Sequence, residues 1–234
     1  MSKLNTNSNG YTIIFLVIMV VIVGGFLAGA SIVTKPIIDK NIELDNKSKI
    51  LKSVQYSGTE VIADYNSKIE ALAVNAKGEI IEGVNGYDLV VKKEYKKPES
   101  ERAYPVFIYT DGGKKNYILP LIGLGLWDEI NGYVSFNEDL KTIRGVAFDH
   151  VGETPGLGGE ITKDWFQDQF KGKTVYDKEG NYVLTVYKKG KSPEGESDID
   201  GISGATLTID GMNAMLSNCI PNYMNYFKTL KTSK

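Results

Sequence analysis

The sequence is poor in the residues that do most protein chemistry. Cys219 is its only cysteine and His150 its only histidine in 234 residues. One cysteine excludes an internal disulfide and a cysteine-held metal or iron–sulfur site. One histidine excludes a multi-histidine metal centre, so no protein-bound metal is expected. A Cys–His hydrolase would need both residues in a nucleophilic setting, and the surroundings of Cys219 offer none. Cys219 reads instead as a buried, small apolar residue on a C-terminal helix. A basic excess is also missing: 27 Lys and Arg stand against 29 Asp and Glu, a net charge of −2. A nucleic-acid partner is therefore not expected. Proline is sparse at 7 residues, but glycine reaches 25, above the usual ~7%. That excess favours turns and close backbone approaches over a helical bundle.

Charge is absent from Tyr11 to Thr34, and Ile13 to Val23 is almost wholly aliphatic. About 20 such residues cross a bilayer core. A cleaved signal peptide is the main rival, but its apolar region runs only about 7–15 residues. A buried soluble helix is the other. Gly25 and Gly29 have the small-x-x-x-small spacing of helix contacts in membranes. The span offers no carboxylate, so sodium binding is not expected of this chain. Lys3 precedes the span, and Lys35 and Lys40 follow it beside Asp39 and Glu43. Charge therefore does not orient it. The expected division is a short polar N-terminus at 1–10, a transmembrane helix at 11–34, a juxtamembrane helix or linker at 35–60, and a domain at 61–234.

Within that domain the pattern predicts a short helix at Val61–Ile69, then mostly strands. A hairpin is expected from Ala71–Asn75 and Glu79–Glu82, with further strands at Tyr87–Val91, Ala103–Thr110, Asn116–Leu121, Trp127–Phe136 and Thr142–Asp149. A short helix at Asp164–Phe170 should carry Trp165, Phe166 and Phe170 on one side. Thr174–Tyr176 and Tyr182–Tyr187 read as a second hairpin. The mixed charges of Lys92–Arg102 mark a solvated loop. The fold class is α+β: one N-terminal transmembrane helix followed by a mostly antiparallel-sheet domain.

Two glycine-bearing segments concentrate the functional signal. In Ser203-Gly204-Ala205-Thr206-Leu207-Thr208, five of six residues are small or hydroxyl-bearing. Such a run cannot fill a core, but it lets backbone approach a ligand. A helix is predicted just after it and ends near Pro221. Thr206 and Thr208 thus fall at a helix N-terminus, where N–H groups and the dipole favour a phosphate. A plain N-cap with a preceding glycine turn is the alternative. The second segment, Gly152-Glu153-Thr154-Pro155-Gly156-Leu157-Gly158-Gly159-Glu160, holds four glycines and a proline in nine residues. It must be a shaped loop. Its unobstructed backbone, Leu157 and Thr154 could meet the face and edge of a flat ring; a structural turn is the competing reading. Asp198 and Asp200 read either as a solvated turn or as groups near a phosphate.

Ser-Gly-Ala-Thr-x-Thr resembles the flavinylation motif of the covalent FMN-binding domain family. Glu-Thr-Pro-Gly-Leu-Gly is similar to that family's second hallmark, and Gly123-x-Gly125-Leu126-Trp127 is a weaker third. The resemblance implies FMN joined to Thr208 as a phosphoester, with Ser203, Gly204, Ala205, Thr206 and Leu207 around the attachment point. Glu153, Thr154, Pro155, Gly156, Leu157 and Gly158 would lie against the isoalloxazine. Thr206 would supply a hydrogen bond, and Glu153 would either tune the flavin or cap its own loop. Family members serve sodium-translocating NADH:quinone oxidoreductases and Rnf electron-transport complexes, and the position of His150 favours the former. The resemblance further implies partner membrane subunits, a separate Mg²⁺-dependent flavin transferase that must reach Ser203–Thr208, and a bacterial inner-membrane location with the domain on the periplasmic side. The absence of a catalytic acid/base set fits an electron carrier, because the cofactor brings the chemistry.

Overall fold

The computed structural model describes residues 8–232. Most of the predicted polar N-terminus, residues 1–7, lies outside them. The chain divides into two units, one ending at Asn46 and one starting at Lys47.

The first unit is helical. Helix α1, Asn9–Ser53, runs without a break through Pro36 and continues into the second unit. The predicted linker at 35–60 is therefore mostly the same helix. Its apolar side chains from Ile13 to Val33 are exposed, Phe26 at 76%. Among the described residues it is the one helix long and apolar enough to cross a membrane.

The second unit is an α+β domain. After α2 (Val61–Lys68) come five strands: β1 (Ile69–Val74), β2 (Tyr104–Asp111), β3 (Lys114–Leu124), β4 (Glu129–Phe136) and β5 (Ile143–His150). They form one sheet in chain order, every neighbour antiparallel. Between β1 and β2 lies the one-turn helix α3 (Val91–Glu94); after β5 come α4 (Asp164–Gln167), the short strands β6 (Thr185–Val186) and β7 (Asp198–Ile199), and the helices α5 (Thr206–Cys219) and α6 (Met224–Thr232).

Alternation along a strand sends successive side chains to opposite faces. In β2, Val106 and Ile108 enter the larger core, while Phe107 and Tyr109 enter a smaller one. Both faces are thus covered. Ile50, Leu51 and Val54, at and just beyond the end of α1, close the smaller core with Tyr65 of α2. Ser135 Oγ donates to Ser53 O at 2.5 Å, and Arg144 Nε donates to Val54 O at 2.8 Å, pinning this end of the helix to the sheet. On the other face, Met212, Met215 and Leu216 of α5 join Phe166, Phe170, Phe148 and Phe136. Gly211 lets α5 sit close: a Cβ there would collide with Leu124 O of β3. Cys219 is fully buried on α5, and its thiol donates to Ile122 O at 3.3 Å.

Several predicted elements differ. Tyr87–Val91 is not a strand: the Asn85 side chain accepts the N–H of Tyr87, starting a 3₁₀ turn at Gly86–Asp88, and α3 follows. Both hairpins form in short versions: Val74 bridges Ile80, flanked by Asn75 N–H to Glu79 O and Ile81 N–H to Ala73 O, and Tyr176 bridges Tyr182, flanked by Asp177 N–H to Asn181 O and Val183 N–H to Val175 O. Thr185 and Val186 pair instead in parallel with Asp198 and Ile199. Phe166 and Phe170 are fully buried, but Trp165 is 47% exposed. Its indole N–H donates to Glu160 at 3.3 Å.

Phe227 ties α6 to the sheet, with ring centroids 5.5 Å from Phe136 and 6.1 Å from Tyr117. Phe227→Ala should destabilise the domain by about 3–5 kcal/mol, the range for deleting a buried aromatic side chain. Urea unfolding followed by tryptophan fluorescence measures it.

Candidate functional site

The two glycine-bearing segments meet. Thr208, in the first turn of α5, is 1% exposed, and Glu153, in the loop after β5, is 3% exposed. The Thr208 hydroxyl donates to Glu153 Oε2 at 2.6 Å across 55 residues of sequence. Glu153 Oε1 accepts the N–H of Trp127 at 2.8 Å. The N–H of Glu153 donates to His150 Nδ1 at 3.1 Å. The carboxylate therefore joins three segments: the β3–β4 turn, the β5 loop and the start of α5.

Small residues make this approach possible. A Cβ on Gly125 would press on Glu153 Oε1, and one on Gly158 would collide with both Glu153 Oε2 and Thr208 Oγ1. Gly156 and Gly204 take φ of +76° and +73°, where non-glycine residues are strained. A Cβ on Gly204 would lie 2.8 Å from Leu157 Cδ2, so the Leu157 side chain rests over the Ser-Gly-Ala-Thr turn. The 154–159 loop is tied by Thr154 O, which accepts the N–H groups of Leu157 at 3.1 Å and Gly159 at 3.0 Å.

Around the buried pair the surface is apolar and open. Trp127 is 69% exposed, Leu207 59% and Leu157 41%; large exposed apolar groups gathered at one place mark binding surface. Ser203, Gly204, Thr206, Thr154, Pro155 and Gly156 are also exposed, whereas Ala205 and Gly158 are buried. The expectation that all of Ser203–Thr208 is accessible therefore needs correction. Thr206 faces outward, but Thr208 is covered because its hydroxyl is drawn to Glu153. Ala205, before the helix, gives no side-chain cap, leaving the first-turn N–H groups, which no helix can satisfy internally, without one.

The electrostatics are one-sided. Segments 123–130, 149–160 and 203–212 contain Asp128, Glu129, Asp149, Glu153, Glu160 and Asp210, and no lysine or arginine. From outside them, Lys92 reaches Glu129 at 2.8 Å and Lys49 pairs with Asp149. Burial alone would raise the Glu153 pKa, but the Thr208 hydroxyl and the backbone N–H groups at Trp127, Asp128 and Leu126 outweigh it and hold the carboxyl below its ordinary value. Glu153 thus bridges to Trp127 and Thr208 rather than capping its own loop.

Asp200 is held as a structural clamp: it accepts from Lys189 Nζ at 2.7 Å and Gly190 N at 2.6 Å. Asp198 accepts from Gly195 N at 2.8 Å. Two supports were not legible. The Gln169 amide brackets the backbone of Asp200, donating to its O at 3.1 Å and accepting its N–H at 3.0 Å. Asn213 does the same to Val186, both at 2.8 Å. A polar residue on an otherwise apolar helix face, such as Asn213, is the one signal sequence offered.

The family model described as FMN-binding domain matches residues 125–221, a stretch that holds the β3–β4 turn, the loop after β5 and the start of α5. The chain is 32% identical to the C subunit of the Na(+)-translocating NADH-quinone reductase of Haemophilus ducreyi, over 91% of this chain and 90% of that protein. It is similar to the crystal structure of the C subunit of the same reductase from Parabacteroides distasonis, with 38% identity and a TM-score of 0.75 over 82% of this chain and 96% of that one. NqrC of Shewanella oneidensis matches at 26% identity and a TM-score of 0.71, over 80% and 96%. The chain belongs to the NqrC family, the C subunits of Na(+)-translocating NADH-quinone reductases.

Two outcomes follow from the buried bridge. Gly158→Ala should cost about 1–3 kcal/mol through overpacking, read as a lowered urea midpoint. Because the folded Glu153 pKa lies below its ordinary 4.5, the ionised bridge stabilises fully above that value and is lost as pH falls through the lower folded one. Glu153→Gln should therefore show a shallower acid limb in stability against pH below about 4.5.

Proposed function

We propose that this chain is the electron-carrying flavoprotein subunit of a membrane-bound, sodium-translocating NADH:quinone oxidoreductase, with FMN joined to Thr208 as a phosphoester. The observation that carries the reading is the meeting of the two motifs at one hydrogen bond, Thr208 to Glu153. Family membership supports the assembly: the relatives are named as subunits of such a reductase.

The residues fit a flavin mononucleotide. Gly158 keeps a side chain out of the space beside Thr208, and Gly204 keeps one off Leu157. Leu157, Leu207 and Trp127 offer exposed apolar surface for a ring system. Thr206 at the first turn of α5 and the uncapped N–H groups there suit phosphate oxygens. Segments 123–130, 149–160 and 203–212 carry no basic side chain, and the lysines that reach them are paired with Glu129 and Asp149, so a covalent link answers what electrostatic attraction supplies weakly. When bound, the flavin supplies the electron chemistry; the chain holds it in place and shields its attachment. Thr154, Pro155, Ser203 and Ala205 shape the turns on either side.

The attachment needs a donor and an activating enzyme, since a threonine hydroxyl is a weak nucleophile. A Mg²⁺-dependent transferase taking FMN from FAD is the partner proposed for that step. The exposed apolar helix supports a single membrane span; on this reading it lies in the bacterial inner membrane beside partner subunits, with the domain on the periplasmic side.

Thr208→Ala should abolish flavin that survives denaturation, whereas Thr206→Ala should keep it on residue 208. In-gel fluorescence and the intact mass of protein from native membranes measure both. Full covalent flavin in Thr208→Ala, or a wild-type mass equal to the bare polypeptide despite a competent transferase, would overturn the reading.

A further inference from the structure

The Thr208 hydroxyl already points at a carboxylate oxygen, 2.6 Å away and out of water. That length is ordinary for a hydroxyl donating to a carboxylate, and it leaves the hydroxyl proton facing an acceptor. Thr206 stands two residues away and is exposed, so accessibility alone would select Thr206 for modification. What distinguishes Thr208 is its acceptor. We propose that Glu153 is the proton acceptor for Thr208 in flavin attachment, and so makes this threonine the one modified; the inference rests on the covalent FMN reading above.

The step balances as a phosphoryl-type transfer. Thr208 Oγ attacks the FMN-side phosphorus of a flavin adenine dinucleotide bound to the transferase. An O–P bond forms, the pyrophosphate P–O bond breaks, and AMP leaves. The hydroxyl proton passes to Glu153 Oε2. A carboxylate accepting the proton of an attacking hydroxyl is the arrangement used by protein kinases.

Access and anchoring are compatible. Thr208 is 1% exposed and Gly158 packs close to its Oγ1; on this proposal the donor enters by displacing segment 154–158. Glu153 does not depend on that segment for its position. Its carboxylate is held by Trp127 N–H and its backbone by His150 Nδ1. Within segments 123–130, 149–160 and 203–212 the other titratable side chains are His150, Asp149, Asp128, Glu129, Glu160 and Asp210; β5 also carries Arg144, β4 Tyr133 and α5 Cys219. Of the segment residues all but His150 are acids, Asp149 and Glu129 already paired with Lys49 and Lys92. Once the proton has passed to Glu153, its repulsion with the phosphate is removed.

The test is the initial rate of covalent FMN incorporation into the full-length apoprotein in detergent, with purified flavin transferase, FAD and Mg²⁺, read by intact mass from pH 6 to 9. Glu153→Gln should load at least ~100-fold more slowly at neutral pH, the lower end for loss of a general base. Its deficit should shrink as pH rises, because hydroxide replaces the lost acceptor. The transferase's own titration cancels in the wild-type to variant ratio. Glu153→Asp keeps a carboxylate and should follow the wild-type pH profile at reduced rate, which keeps the inference testable if the glutamine variant misfolds. Equal loading of Glu153→Gln, a pH-independent deficit, or a profile for Glu153→Asp that rises relative to wild type would each overturn it. Failure of the wild type itself to load would instead overturn the covalent FMN reading.

Discussion

A single buried hydrogen bond organises the functional end of this domain. Removing one partner of such a bond strands the other, because a buried carboxylate without donors is costly. Glu153 meets that requirement with Thr208 on one oxygen and Trp127 N–H on the other. The three segments that converge there come from the β3–β4 turn, the loop after β5 and the start of α5. None would have reason to adopt its shape alone. Gly125 and Gly158 are small because the carboxylate and hydroxyl occupy the space their side chains would take.

The sheet serves this point from behind. Five antiparallel strands in chain order place the β3–β4 turn and the end of β5 at one edge of the same surface, since β4 pairs with both. Helix α5 lies on β3, brought close by Gly211 and by Gly123, whose Cβ would strike Met215. Its N-terminus is thereby delivered to the same place. On the opposite face, Ile50, Leu51 and Val54 fill a separate core with Phe107 and Ile118.

Much of this was legible in the residues, and the limits have physical causes. Strands such as Tyr104–Asp111 announce themselves by alternation, and both motifs stand out because runs of glycine and hydroxyl residues cannot build a core. Local patterns failed where a side chain or a distant segment decides. Tyr87–Val91 has the composition of a strand, yet one Asn85 hydrogen bond turns it into a 3₁₀ turn. Tyr182–Tyr187 looks like half of a hairpin, but its end pairs with Asp198–Ile199, which no short window reveals. Likewise each motif was visible while their contact was not. Glu153 and Thr208 are joined by tertiary structure, and the burial of Thr208 follows from that contact rather than from its neighbours in sequence.

The placement of Cys219 has a meaning in a chain of an FMN-binding family. Reduced flavins pass electrons to oxygen, and the peroxide so formed attacks thiolates. Here the lone thiol is buried on α5, its S–H donated to Ile122 O, and burial pushes its pKa up. It stays a protonated thiol out of reach of solvent oxidants. The domain thus carries no cysteine thiol at its surface, and oxidative wear falls on other side chains.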